Sequence, residues 1–261
     1  MPVLDAIIAA TRETLPALRA RRNELERAAL DAAPPASFEA ALRRPTVALI
    51  AEVKRRSPSA GAINAGLDPA VLGQAYAAGG ASAISVLTDG PFFGGSLADL
   101  QAVTAAVSVP ALRKDFILDE TQLFEARTAG AAAVLLIARV LTDDELRRLH
   151  RMADDLGLGV LVETHTAVEI ERALAAEARV IGVNARDLDD FSINRDAAWA
   201  MLAQVPSRCV AVAESGMASV EDVAVAAAAG ADAVLIGGAL AAHGAPEAAA
   251  RALAGVVRRG R

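Results

Sequence analysis

The chain has 261 residues, of which 54% are apolar, and a formal net charge of −6. That is enough apolar mass for one large core, and α/β barrels reach this length as one domain. Acids and bases are mixed along the chain, which argues against a nucleic-acid surface but still allows a local cationic pocket for a small anion.

The first segment, MPVLDAIIAATRETL, places Leu4, Ile7, Ile8, Thr11, Leu15 and Leu18 at helical spacing, so it reads as an amphipathic helix. Asp5 and the absence of early basic residues do not fit a targeting segment, and the expected location is the cytoplasm. The loop Ala33-Pro34-Pro35 ends this extension. The expected organisation is one domain, residues 1–45 as an N-terminal helical extension and 46–261 as the folded body.

The first strand is the apolar run Thr46 to Lys54. Further apolar runs end near Leu87, Lys114, Ala138, Glu163, Asn184, Ser215 and Gly238. Helical patterns lie between them; in TDDELRRLHRMADDLG, Thr142 caps the start and Gly157 ends the turn. Three segments repeat one motif: AGGASAISV around Gly80, TAGAAAVLL around Gly130 and AAGADAVLI around Gly230. Each is a helix end, a glycine suited to a left-handed turn, and a small-residue entry into a strand. A fourth copy is expected near residue 180, where AEARVIGVN has the strand without the glycine. The apolar stretch from Val223 to Ala241 is interrupted by Asp232 and glycines and reads as helix, turn and strand, so no membrane span is expected. Strand and helix alternate in a way that predicts a parallel (β/α)8 TIM barrel.

Function in such barrels sits at the C-terminal strand ends. Those ends carry Glu52 and Lys54, Lys114, Glu163, Asn184 and Arg186, then Glu214 and Ser215. Singly, each has a structural reading as an ion pair, rim residue or turn former. Together, so many buried charges need a functional return. Only two of the 26 basic residues are lysine, Lys54 and Lys114, and both end strands. A lysine has a pKa that burial can lower, which an arginine lacks, so Lys114 is expected to be shifted toward neutrality. Gly216, Gly237 and Gly238 follow strands 7 and 8, the usual phosphate position in barrels. RRSPSAG, Arg55 to Gly61, reads as an active-site loop because it follows Lys54, or as a solvated turn. Cys209 lies in an apolar strand and reads as core; as the lone cysteine it excludes an internal disulfide and fits a reducing compartment. His150, His165 and His243 lack metal-ligand spacing, and no metal or cofactor is expected.

The segments IAEVKRRSPSAG, SVLTDGPFFGGS, VPALRKDFILDE, VLVETHT, IGVNARDL and VAESGM, in this order and spacing, resemble the indole-3-glycerol phosphate synthase family over essentially the whole chain. The resemblance implies a small phosphorylated substrate, 1-(2-carboxyphenylamino)-1-deoxyribulose 5-phosphate, closed to an indole with loss of CO2 and water. It implies Lys114 as general acid toward the ketone oxygen and Glu163 in the proton transfers of dehydration, with Lys54 beside it. Glu52 would orient the lysines, Asn184 would bond the reacting hydroxyls, and Ser215 would help close the site. Arg186, Lys54 and Ser57 would face anionic groups, Phe93 and Phe116 the aromatic ring, and Gly216, Gly237 and Gly238 the phosphate. Association with other tryptophan-pathway enzymes belongs to the same expectation. Ala185, Asp187, Thr121 and the pair Gly238-Ala239 depart from the family pattern. Phosphoribosylanthranilate isomerase, which relies on a cysteine ending strand 1, fits less well, since that strand ends Glu52-Val53-Lys54. A non-catalytic phosphate-binding barrel would have no need of Lys114 with Glu163.

Overall fold

Eight parallel strands close into a barrel, each paired with its chain neighbours and the last with the first. In the computed structural model they are β1 (Ala48–Val53), β2 (Ala83–Leu87), β3 (Ala111–Lys114), β4 (Ala133–Ile137), β5 (Gly159–Thr164), β6 (Val180–Asn184), β7 (Val210–Glu214) and β8 (Ala233–Ile236). The described residues are 3–59, 61–64 and 66–259. Met1 and Pro2, read as part of the first helix, and Ala60 of the loop after β1 lie outside them. The predicted strand ends agree with these bounds to within two residues.

Strand pleating fixes which side chains enter the barrel, because successive residues point to opposite faces. Along β1, Ala48 and Ile50 belong to the interior cluster, and Leu49, Ala51 and Val53 to the layer under the helices. The same phase runs through Leu112 of β3, Leu161 of β5, Val210 and Val212 of β7, and Leu235 of β8, all interior. The next inward position on these strands is Glu52, Lys114, Glu163, Glu214 and Gly237.

The N-terminal extension forms α1 (Val3–Ala20), α2 (Arg22–Asp31) and α3 (Phe38–Leu42). Leu4, Ile7, Ile8 and Leu15 are buried on α1, as its periodicity predicts. Arg127 donates to the carbonyls of Ala32 and Ala33 and so pins the proline loop. Helix α3 escaped the sequence reading because five residues are too few to show a period. Its Phe38 and Leu42 are fully buried in the interior cluster and plug the barrel floor. A Cβ on Gly159 would lie 2.8 Å from the Phe38 Cβ, so that strand start has to be glycine.

The outer ring is α4 (Pro69–Ala78), α5 (Leu97–Ala106), α6 (Glu120–Thr128), α7 (Asp143–Asp155), α8 (Ala167–Ala175), α9 (Arg195–Leu202) and α10 (Val220–Ala228), followed by α11 (Gly238–Ala241) and α12 (Pro246–Ala254). Thr142 caps α7 with Glu145 as its capping-box partner. The repeated glycine turn is present at Gly80, Gly130 and Gly230, with φ of 93°, 85° and 107°. In each, the following amide bonds a carbonyl in the last helical turn, as in Ala131 to Ala126. The copy without glycine keeps the geometry: Ala178 bonds Ala173, and Glu177 takes φ of 63°.

A β-carbon in the left-handed region costs roughly 1–2 kcal/mol, and glycine's extra chain entropy costs roughly 0.5–1 kcal/mol. Glu177→Gly is therefore expected to stabilise the chain by about 0.5–1 kcal/mol. Gly130→Ala should do the opposite, because its φ is 85° and the new Cβ would sit 2.9 Å from the Thr104 hydroxyl. Urea denaturation of both variants checks the pair of signs.

Candidate active site

The inward phase brings Glu52, Lys114, Glu163, Asn184 and Glu214 from five of the eight strands to the mouth, beside the apolar Leu87 and Ile137 of β2 and β4. The cavity there encloses about 450 Å3. Every residue expected in the site lines it: Glu52, Lys54, Ser57, Phe93, Lys114, Phe116, Glu163, Asn184, Arg186, Ser215, Gly216, Gly237 and Gly238. Of the departures from the family pattern, Gly238 and Ala239 line the cavity, whereas Ala185, Asp187 and Thr121 do not. Ala185 is buried, Asp187 lies 3.7 Å from Arg139, and Thr121 bonds Asp119 at the start of α6.

Lys114 Nζ lies 3.0 Å from Glu163 Oε2 and 3.5 Å from Glu214 Oε2. Its strand neighbour Arg113 points outward and pairs with Asp115 and Glu125 behind the sheet. Two adjacent cations thus serve opposite faces. Lys54 pairs with Glu52. The reason is pleating: Lys54 follows Glu52 by two residues and shares its face.

The expectation of a lowered Lys114 pKa is corrected. Burial pushes it down, but Glu163, Glu214 and Glu52 together outweigh that and hold the ammonium well above its ordinary value. Glu163 is pushed up by burial and pulled down further by Lys114, His165 and Asn184, so it is strongly ionised. Glu214 has only part of that help. Burial raises it most, Lys114 opposes, and Glu163 and Glu52 raise it again, to about 8. Neither of its buried oxygens makes a hydrogen bond of good geometry among the described residues. Glu214 is therefore the carboxyl that keeps its proton near neutrality. Its place at the end of β7 was legible, but its function depends on cross-barrel neighbours that no local motif reveals.

Two glycines make room for these acids. A Cβ on Gly182 would lie 2.0 Å from Glu214 Oε1, and one on Gly237 would lie 2.2 Å from Glu52 Oε1. Gly237 thus has a steric requirement beyond any contact with phosphate, whereas a Cβ on Gly238 would meet open space. After β7, Ser215 and Gly216 both take left-handed backbone, φ 68° and 75°. Phe93 and Phe116 stack at a tilt with centroids 6.2 Å apart. Arg186 donates to the Phe191 carbonyl at 3.0 Å and to Ser59 Oγ at 3.4 Å, and burial lowers its pKa. The segment after β1 is a short hairpin, Arg56–Ser57 with Gly61–Ala62. It is tied down by Arg55 on Asp99 and by Arg56 on the Pro91 carbonyl.

Glu214 releases its proton near pH 4.5 when its pKa is ordinary and near 8 in the folded chain. A raised folded value means stability that is complete below about 4.5 and lost as pH rises through 8. Glu214→Gln removes that titration. The melting temperature of wild type relative to Glu214→Gln should fall by at least ~3 °C between pH 5 and 9, the effect of about 1 kcal/mol in a chain of this size. Parallel melting curves across that range would exclude the raised value.

Comparison with known proteins gives one result for the whole chain. Residues 4–253 match the indole-3-glycerol phosphate synthase family. A protein of that name from a Nocardioides species is 50% identical over 258 residues, 98% of this chain and 99% of the relative. Another, from Mycobacterium tuberculosis, is 47% identical over 249 residues, 95% of this chain and 92% of the relative. Among solved structures, a 3-hexulose-6-phosphate synthase superposes with TM-score 0.66 at 19% identity, over 81% of this chain and 100% of that one. A thiamine phosphate pyrophosphorylase from Pyrococcus furiosus gives TM-score 0.61 at 14% identity, over 81% and 95% of the two chains. At such identities the likeness to the solved structures is one of fold. The 47–50% relatives and the family match carry the assignment: the chain belongs to the indole-3-glycerol phosphate synthase family.

Proposed function

We propose that this chain catalyses the decarboxylating, dehydrating ring closure of 1-(2-carboxyphenylamino)-1-deoxyribulose 5-phosphate to indole-3-glycerol phosphate. The observation that carries the reading is Lys114 held 3.0 Å from Glu163 and 3.5 Å from Glu214 at the inner end of a cavity with glycine turns on its rim. The reaction needs two acid–base groups of opposite readiness within reach of one carbon framework.

The ring carbon that bears the carboxylate attacks the ketone carbon. The ketone oxygen takes the proton of the Lys114 ammonium as the carbon–carbon bond forms. CO2 then leaves, and its bonding electrons restore the aromatic ring. The new hydroxyl departs as water with a second proton, and the carbon next to nitrogen gives up one proton to a base. The overall reaction takes up one proton. Because Lys114 is held charged, it is present as an acid throughout the working range, and the developing alkoxide is basic enough to take its proton. Glu163, held ionised, suits the base of the dehydration. Glu214, still protonated near neutrality, suits the return of a proton to Lys114. Asn184 orients the reacting hydroxyls, and Glu52 holds Lys54.

The substrate carboxylate is assigned to Arg186, Lys54 and Ser57, its ring to Phe93 and Phe116, and its phosphate to the turns at Gly216, Gly237 and Gly238, with Ser215 closing that side. A buried lone cysteine suits a reducing, cytoplasmic setting, and no described helix is long and apolar enough to cross a membrane. Association with other tryptophan-pathway enzymes is part of the same proposal and rests on the family alone.

Purified chain mixed with the carboxyphenylamino substrate should develop indole fluorescence, and a flat trace would overturn the assignment. Lys114→Arg keeps the charge but not a transferable proton, so turnover should fall roughly 100-fold or more with a much smaller change in KM. Glu163→Gln should lose a similar factor, roughly 100-fold. Lys54→Arg should be milder, because Lys54 acts there as a charge. Steady-state kinetics with circular dichroism to confirm folding separates the three variants.

A further inference from the structure

His165 is buried just past the end of β5, beside Glu163, and nothing in the proposed chemistry uses it. It follows β5 two residues after Glu163, so the two side chains share a face. Its side chain is only 7% exposed. Nε2 lies 3.6 Å from Glu163 Oε1, and Nδ1 lies 3.5 Å from Glu169 Oε2 on α8. Glu169 is itself fixed, since it also accepts the His165 backbone amide at 2.7 Å.

A neutral imidazole carries one donor and one acceptor nitrogen. Set between two carboxylates, it would aim a lone pair at one of them. Only the doubly protonated ring presents a proton to both sides. Neither ring nitrogen makes a hydrogen bond of good geometry to any described group, the two carboxylates at 3.6 and 3.5 Å included, so ion pairing is what holds the ring and no third partner satisfies it.

We propose that His165 is a positioning residue: an imidazolium braced by Glu169 that orients the Glu163 carboxylate through Oε1 and leaves Oε2 to Lys114. The inference rests on the role given to Glu163 above. Every charged group around the ring bears on it. Burial opposes the imidazolium most, Glu169 and Glu163 favour it and prevail, and Arg139 beyond β4 opposes it. Arg139 is drawn off by Asp187 and Asp189 in the loop after β6, which weakens that opposition. Lys114 reaches the ring only through Glu163, on the opposite carboxylate oxygen. With the nearer Lys114 and with Asn184, the arrangement helps to make Glu163, and not the equally buried Glu214, the ionised member of the pair.

The test begins with nitrogen NMR of the imidazole rings in the folded wild-type chain, whose three histidines are assigned by replacing His150 and His243. His165 should be doubly protonated at pH 7 and should titrate above about 6.5, the ordinary histidine value. Glu169→Gln and Glu163→Gln should each bring that titration down. A singly protonated His165 ring at pH 7 in wild type overturns the proposal whatever the kinetics show. In turnover, His165→Gln should lower kcat by roughly 10- to 100-fold, the cost of a misplaced acid–base group, with KM little changed. The loss should vanish in a Glu163→Gln background; losses that multiply would overturn the link to Glu163. If Glu163→Gln alone turned over normally, the catalytic role of Glu163 would fall, while the NMR result would still decide the state of His165.

Discussion

One buried ammonium faces more carboxylates than it can neutralise. Lys54 is taken by Glu52, which leaves Lys114 between Glu163 and Glu214. Three ionised acids against two lysines in a low-dielectric mouth would leave an uncompensated charge, and such a charge costs several kcal/mol. The chain resolves the excess by keeping a proton on one acid. Which acid keeps it follows from surroundings, not residue type. Glu163 has Lys114, Asn184 and His165 to hold it ionised, whereas Glu214 has Lys114 alone and two acids against it. Pairs of carboxyls driven apart in this way are how one residue type supplies both acid and base.

Barrel closure makes that crowding attainable. Strands in a closed parallel sheet deliver their inward residues in shared layers, so side chains far apart in the chain meet at one height. Lys114 and Glu214, with three strands between them in sequence order, meet across the mouth only because the sheet has no edge. The crowding also needs gaps. Gly182 and Gly237 are missing side chains as much as flexible residues, since any Cβ there would occupy the space of a Glu214 or Glu52 oxygen. Below this layer, Ile50, Leu112, Leu161, Val212 and Leu235 fill the barrel, and Phe38 and Leu42 close its floor. The charged layer therefore rests on an apolar, packed support.

Local patterns carried the strands, the helix caps and the strand-end residues, because each depends on neighbours within a few positions. The run Thr46 to Lys54 both forms β1 and puts Glu52 and Lys54 at its end. The missing glycine near residue 180 marked a turn whose backbone could be inferred from its three siblings, and Glu177 takes that backbone despite its Cβ. What escaped was non-local. Helix α3 is defined by what it plugs. Glu214 differs from Glu163 only through residues on other strands. His165 sits in the same short motif as Glu163, yet its partner Glu169 acquires meaning only when α8 folds back onto the end of β5. The direction of the Lys114 shift was misjudged for the same reason: burial is legible in an apolar run, but the number of acids opposite is not.

The excess of acid has a further consequence on the proposed chemistry. The substrate brings a phosphate and a carboxylate to a mouth already rich in carboxylates. The phosphate is assigned to the glycine turns after β7 and β8, where backbone dipoles replace charged side chains. The carboxylate must lie nearer the reacting centre, with Arg186 and Lys54 as its counter-charges. Its departure as CO2 removes one negative charge from the part of the site least able to hold it. Charge balance at Lys114 therefore improves as the reaction proceeds past ring closure, and the lysine that gave up a proton regains it next to Glu214, the acid that kept one.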